Sequence, residues 1–443
     1  MSGISGNSTP LSRTVPYLLL LVPVFVILAV WGLRRNGPLH IDEVYWIGQS
    51  YYYNLAFIER DWNNQDWRLL PAREHPPVGK YMIGLALNLN GRRISSPDLL
   101  GSFLLLFSNT PKAWGSGPAY EKRLAVAKRV DPLVAKRVLE EGIPPIEMAD
   151  VRIGRILVML LAILTALVLY VTAWICVGWR TGLLASVLFA LHPAVINSYS
   201  WVLIDIVPLA FSCLAVLCLV CVAQRRWLGS FRPGGTAAGL AILLGAFLGL
   251  ACGAKMNALI VAGLAGLATL WFAYRAFRSR TRDAITAALV TAIAMIVAHC
   301  VFIAANPALY PDIWGGLKAL VAENHSTVGI QEGFLGGGLH TVTGRFLAIG
   351  RLTGNWFWLF LVVVACFIYQ AARSVREPLA WMLICTWWLV ALVLLLAWLP
   401  FAWDRYVLPL IPPSALLVAR TIDELGGRLL QAARGELVPE SRP

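Results

Sequence analysis

An acidic pair, Asp42 and Glu43, stands inside the stretch His40-Ile41-Asp42-Glu43-Val44-Tyr45-Trp46. A carboxylate at such a place can act as a general base, taking a proton from a hydroxyl acceptor within hydrogen-bond reach. Adjacent acids also occur in plain solvated turns. The aromatic run that follows, Tyr51, Tyr52, Tyr53, Trp62 and Trp67, suits a membrane-interface belt and equally suits stacking on the face of a sugar. A second cluster reads Arg73-Glu74-His75-Pro76-Pro77-Val78-Gly79-Lys80. Its two prolines fix the backbone and start a helix, with Lys80 one turn in. Arg73 and Lys80 are cations of the kind that hold a phosphate. Glu74 and His75 are candidates for a divalent metal or for substrate contact, although two ligands do not complete a metal site.

Isolated charges complete the set: Arg152, Arg155, Asp205, Lys255 and Arg405, each near the end of an apolar segment. Ionisable residues at membrane depth are costly and therefore functional candidates. Near a helix end, a long side chain can instead snorkel to water and serve as an anchor.

The elements that must position these residues are membrane helices. Of the 443 residues, 58% are hydrophobic and only 14% charged; a soluble domain has about 25% charged residues. Several apolar runs reach about 18 residues or more, enough to cross a bilayer as a helix. The formal charge of +13 sits mostly as arginine in short turns between apolar runs. That placement is an orientation signal and excludes nucleic-acid binding. The eight cysteines lie in or at the ends of apolar segments, which excludes a disulfide framework and a zinc-type spacing. The first apolar run, near Tyr17 to Leu33, has no small-residue cleavage site after it and reads as a retained helix.

The spans fall near 17–33, 153–177, 182–198, 203–223, 237–252, 257–274, 284–305, 354–372, 378–399 and 406–420, about ten in all, with a tight turn around Lys255. The fold class is therefore an all-α polytopic bundle, because backbone polar groups in lipid must pair within a segment. One set of loops holds Arg180, then Arg225, Arg226 and Arg232, then Arg275, Arg278, Arg280 and Arg282, then Arg373 and Arg376. The positive-inside rule puts these loops and both termini in the cytoplasm. Val78–Leu89 is too short to span, and crossing there would move every arginine-rich turn outside. It reads as a helix at the outer membrane surface. Residues 34–150 then form one large extracytoplasmic loop, with a further surface helix expected over Tyr120–Glu141. A second outer loop spans 306–353 and contains Tyr310, Asp312, Trp314, His325 and the glycines 336–338, which suit a mobile turn or a lid. Residues 1–423 make the transmembrane domain and 424–443 a cytoplasmic tail. Asp42, Glu43, Lys255 and Arg405 thus share one face, which fits an anionic, lipid-linked substrate.

These residues resemble a known family. Asp42-Glu43 after the first helix, followed by His75-Pro76-Pro77-Val78-Gly79-Lys80, is similar to the first-loop signature of protein O-mannosyltransferases and their bacterial relatives, the aminoarabinose transferases. Further similarities follow in order: Arg155 opening a helix, Leu203-Ile204-Asp205, Gly253-Ala254-Lys255, Asn306-Pro307-Ala308-Leu309-Tyr310-Pro311-Asp312, and Asp404-Arg405-Tyr406-Val407-Leu408-Pro409. The sequence departs from the aminoarabinose transferases at His75, where they carry Lys.

The resemblance implies a GT-C glycosyltransferase of the inner (plasma) membrane using a polyprenyl-phosphate sugar, with a protein, lipid or glycan acceptor and membrane lipids as its other partners. It implies inverting transfer at the extracytoplasmic face, with Asp42 as general base and Glu43 orienting it or touching substrate. Arg155, Lys255 and Arg405, then Lys80 and Arg73, are the expected donor-phosphate cations. His75, Glu74, Asp205, Tyr45 and Tyr406 are the expected substrate contacts. The resemblance names no definite cofactor and leaves a divalent metal open, with Glu74 and His75 as its candidate ligands. The competing reading is a transporter or flippase of lipid-linked sugars. It expects charges near the bilayer midplane and broken helices in corresponding halves. Charges gathered at one face, with no internal repeat, favour an enzyme.

Overall fold

Apolar runs of this length satisfy their backbone polar groups only as helices, and the described residues are mostly helical, with no strand among them. The computed structural model describes residues 10–95, 97, 146–224, 236–310, 312–335, 337–354, 357–374 and 379–434. The long helices are α1 (Thr14–Arg34), α2 (Ile41–Gln49), α3 (Val78–Leu89), α4 (Met148–Cys176), α5 (Trp179–Leu191), α6 (Pro193–Ser200), α7 (Ile206–Ala223) and α8 (Thr236–Ala254). They are followed by α9 (Leu259–Ser279), α10 (Arg282–Ala304), α11 (Ile313–Leu335), α12 (Val342–Gly354), α13 (Phe357–Ser374), α14 (Leu379–Trp398) and α15 (Ile411–Ala433). Among the described residues, eight helices are long and apolar enough to cross a membrane, and α5 with α6 forms a ninth, bent pair. The pair bends by 64° at His192-Pro193. A residue before proline is pushed out of helical geometry, and His192 is extended. The last expected span begins as a 3-10 turn over Asp404–Leu410 and continues as α15. That helix carries Arg420, Asp423, Glu424 and Arg428 and runs past residue 423, where the sequence places the domain boundary. Arg225, Arg226, Arg232 and Arg376 of the orientation argument, and the Tyr120–Glu141 helix, lie outside the described residues.

Two expectations about the outer segments change. Val78–Leu89 is the expected helix, but most of it is buried, including Lys80, Tyr81 and Ile83. It packs against α2, α4 and α8 rather than lying free on a surface. The loop 306–353 is largely helical, as α11 and α12.

A run of glycines fixes how α8 sits. Gly245, Gly249 and Gly253 recur every four residues and so share one face of α8. A Cβ built on Gly245 would lie 2.5 Å from the Ala294 carbonyl oxygen of α10, and one on Gly249 would lie 2.7 Å from that of Ala298. On Gly253 it would meet the Val78 side chain of α3 at 2.9 Å. Small residues let membrane helices approach backbone to backbone, and here they bring α10 and α3 against α8. Gly249→Val is expected to lower stability by about 1–3 kcal/mol through overpacking. Gly266→Ala, where nothing lies within 4 Å of the added methyl, is expected to be neutral or stabilising. Thermal unfolding of the detergent-solubilised protein checks this: equal midpoints for wild type and Gly249→Val would rule out the close approach.

Candidate active site

The site begins with an anchor. His40 precedes α2, and its Nδ1 accepts from the Asp42 backbone N–H at 3.2 Å, while its own N–H donates to Glu43 Oε2 at 2.8 Å. Glu43 Oε1 also accepts from Arg155 Nε at 2.7 Å and from the Val202 backbone N–H at 3.0 Å. Arg155 Nη2 donates to Glu43 Oε2 at 2.7 Å and to the Pro38 carbonyl at 3.2 Å; Nη1 donates to the carbonyls of Arg35 and Gly37 at 2.8 and 3.2 Å. All of the guanidinium's N–H donors are used, and Glu43 is closed to solvent. Glu43, expected to orient the base or touch substrate, and Arg155, expected to bind the donor phosphate, are both committed to this anchor.

Beyond the anchor lies a cluster at the same end of the bundle. Asp42 makes an ion pair with Arg405, their side chains 21% and 18% exposed. Arg405 is stacked over Trp403, 4.5 Å from the ring centroid. Asp404 holds the turn by accepting from the Arg405 N–H at 2.8 Å and from Asn197 Nδ2 at 2.7 Å. Lys255 Nζ donates to Asp205 Oδ1 at 2.6 Å and sits over Tyr406, 5.6 Å from its centroid. Asp205 Oδ2 is buried without a hydrogen-bond partner. Glu74 accepts from the Tyr45 hydroxyl at 2.5 Å.

Burial raises the Glu74 pKa. The Tyr45 hydrogen bond and the charges of Lys80 and Lys255 oppose that shift, and Asp42 reinforces it. Burial and then the charges of Lys255, Lys80 and Arg405 hold the His75 pKa well below the usual imidazole range, so it stands as a neutral ring. These couplings place Asp42, Glu74, His75, Asp205, Lys255, Arg405 and Tyr406 in one electrostatic neighbourhood.

Two expected phosphate cations point elsewhere. Lys80 is fully buried and donates to the carbonyls of Pro71 and of His75, the latter at 2.8 Å. It ties the 71–75 segment down onto α3. Arg73 pairs with Glu323 of α11 at 2.8 Å. Glu74 and His75 approach only to 3.9 Å, and no third His, Cys, Asp or Glu joins them as a metal-ligand group among the described residues. Trp403, Asn197 and Glu323 were not singled out from the sequence. Trp403 adjoins the Asp404-Arg405-Tyr406 motif and could have been found from it. The other two carry no local signal.

Comparison with known proteins supports the same fold. Residues 146–310 match the family described as dolichyl-phosphate-mannose-protein mannosyltransferase, a stretch that includes Arg155, Asp205 and Lys255. No curated protein sequence matches the chain. The structure is similar to ArnT from Cupriavidus metallidurans bound to undecaprenyl phosphate, with TM-score 0.50, 15% identity, and coverage of 94% of this chain and 62% of that one. It is similar to the Archaeoglobus fulgidus oligosaccharyltransferase tethered with an acceptor peptide, with TM-score 0.55, 14% identity, and coverage of 97% and 52%. The AglB oligosaccharyltransferase from the same organism, in complex with an inhibitory peptide and a dolichol-phosphate, gives TM-score 0.51, 13% identity, and coverage of 98% and 53%. The chain thus spans less than two thirds of the length of each of these proteins. In sequence over 146–310, and in fold over nearly its whole length, it resembles the GT-C class of polyprenyl-phosphate-sugar glycosyltransferases.

Two outcomes follow from the buried charges. Glu43→Ala or Arg155→Met leaves its partner charged and unpaired in the interior, with an expected cost of about 3–5 kcal/mol. Unfolding midpoints near wild type for both would show that the pair is not structural. Burial, partly offset by Glu74, depresses the Lys80 pKa to about 7, whereas an unfolded lysine titrates near about 10.4. Between those values unfolding takes up a proton, so stability rises with pH across that window. The slope of midpoint against pH from about 7 to 9 is expected to flatten in Lys80→Met; an unchanged slope would mean that Lys80 is not the titrating group.

Proposed function

We propose that this chain is a membrane glycosyltransferase that moves a sugar from a polyprenyl-phosphate donor to a hydroxyl of a protein, lipid or glycan acceptor, with inversion. The reaction takes place at the extracytoplasmic face of the plasma (inner) membrane. The observation that carries this reading is the partly exposed Asp42 carboxylate against Arg405, beside the Lys255–Asp205 pair. A base and two cations therefore meet at one end of the bundle, where a lipid-anchored phosphate can reach them without leaving the bilayer. A polyprenyl chain cannot cheaply enter water, which is the physical reason for embedding such an enzyme in a membrane.

In this mechanism the acceptor oxygen attacks the anomeric carbon from the face opposite the phosphate. The bond from that carbon to the phosphate oxygen breaks, and its electron pair leaves with the polyprenyl phosphate. The acceptor proton passes to Asp42. A phosphate monoester is a good leaving group, so cations rather than a general acid stabilise the departing charge. Lys255 and Arg405 take that role. The donor phosphate competes with Asp42 for Arg405, so donor binding releases the base. Glu74, hydrogen-bonded to Tyr45, and the neutral His75 ring contact the sugar or the acceptor, as does Tyr406. Asp205 holds Lys255 in place. Glu43 and Arg155 position α2, and so Asp42, without touching substrate.

Membranes containing the protein, supplied with a panel of radiolabelled polyprenyl-phosphate sugars, test the assignment. Asp42→Asn is expected to lower kcat by about 10²–10⁴-fold, with the unfolding midpoint unchanged. Transfer at the wild-type rate by the folded variant would remove Asp42 as the base.

A further inference from the structure

A second polar cavity lies away from the Asp42–Arg405 cluster, where the end of α1 meets the start of α4. It measures about 380 Å³ and is lined by Trp31, Arg35, Asn36, Arg152, Arg155 and Ile156. Arg155 is already neutralised by Glu43. Arg35 and Arg152 are exposed, and neither has an ion-pair partner among the described residues. The nearest acids of α4 are taken: Arg92 pairs with both Glu147 and Asp150. Arg34, beside Arg35, is turned to Asn197, donating to its Oδ1 at 3.1 Å. Arg35 sits over the Trp31 ring at 5.9 Å. The Trp31 indole N–H is closed to solvent and has no acceptor. The cavity therefore offers two uncompensated guanidinium groups, with no acid to balance them.

What lies along the helix below the cavity narrows the ligand. Arg152, Ile156, Leu160 and Leu164 recur every four residues and form one ridge of α4. Ile156, Leu160 and Leu164 are all exposed, as are Phe25 and Leu28 on α1. A cationic pocket at the top of an apolar, lipid-facing ridge matches a molecule with a phosphate head and an acyl chain. A soluble anion would have no use for the ridge, and a zwitterionic headgroup would bring its own cation against the arginines.

We propose that this groove is a binding site for an anionic bilayer phospholipid, its phosphate held by Arg35 and Arg152, and one acyl chain lying along Ile156, Leu160 and Leu164. The site sits directly behind the anchor, because Arg155 lines it and the Arg35 carbonyl accepts from Arg155 Nη1. A lipid here would brace the 35–38 segment that holds Arg155. The inference does not depend on the glycosyl-transfer reading.

Native mass spectrometry of the full chain, titrated with phosphatidylglycerol or phosphatidylcholine, tests it. One phosphatidylglycerol per chain is expected to bind at least about tenfold more tightly than phosphatidylcholine. A basic residue near an anionic lipid surface is worth about 1 kcal/mol, or about fivefold in Kd. Arg152→Gln is therefore expected to weaken phosphatidylglycerol about fivefold, and Arg35→Gln with Arg152→Gln about 25-fold. Both side chains are exposed, so the double variant is expected to keep the wild-type unfolding midpoint; should it aggregate, the single variant carries the test. Equal affinity of wild type and Arg152→Gln would overturn the proposal, as would equal affinity for the two lipids. Displacement by millimolar inorganic phosphate would make this a soluble-anion site. Displacement by undecaprenyl phosphate at lower concentration than phosphatidylglycerol would make it a donor or product site. Either result overturns the assignment to a bilayer phospholipid.

Discussion

The Glu43–Arg155 pair is the constraint on which the site's geometry rests. It joins the end of α1, the start of α2, the start of α4 and the turn at Val202 through one set of charge-assisted hydrogen bonds. Burying two charges is costly, and their mutual attraction offsets that cost only where every remaining donor and acceptor is satisfied. Here they are. The pair also decides where Asp42 points. Neighbouring residues on a helix project about 100° apart, so fixing Glu43 inward turns Asp42 out of the core toward Arg405. The catalytic candidate is aimed by the residue next to it.

Lys255 and Asp205 are placed by different means. Lys255 follows the last turn of α8, and Asp205 immediately precedes α7. A cation at a helix C-terminus and an acid at an N-terminus are each favoured by the helix dipole. Their 2.6 Å contact requires that the two helix ends meet, and the glycines of α8 help to set that approach. Gly253 seats α3 two residues before Lys255, while Gly245 and Gly249 bring α10 against α8. Backbone packing within the bundle thus sets the position of a polar contact at its end.

Much of this was legible in the sequence, but not all of it. Span lengths follow from composition, but the break at Pro193 falls inside what reads as one span over 182–198, although proline geometry encodes it. Asp42, Asp205, Lys255 and Arg405 stand out as charges near the ends of apolar runs, and the structure brings all four together. The partners of other charged residues were not legible. Arg155 and Lys80 look from the sequence like further phosphate-binding cations. Only the fold shows that Arg155 has its guanidinium filled by Glu43 and three carbonyls, and that Lys80 is turned under its own loop. Arg73 meets Glu323 across a separation of 250 residues, a pairing that no local pattern encodes. The Gly245-Gly249-Gly253 ridge was visible in principle, but it reads as function-neutral until the helices on either side are known.

The two ion pairs of the site differ in a way that bears on the reaction. Asp205 and Lys255 are 1% and 9% exposed, so separating them would leave a buried charge unpaired, at a cost of several kcal/mol. Asp42 and Arg405 are about a fifth exposed, so separating them leaves less charge stranded in the interior. In the proposed mechanism the second pair is therefore the one exchanged. On that reading a donor phosphate is located by Lys255, whose pair is the more deeply buried, and draws Arg405 from Asp42. The difference in burial thus selects Asp42–Arg405, rather than Asp205–Lys255, as the pair that would yield its cation to the phosphate.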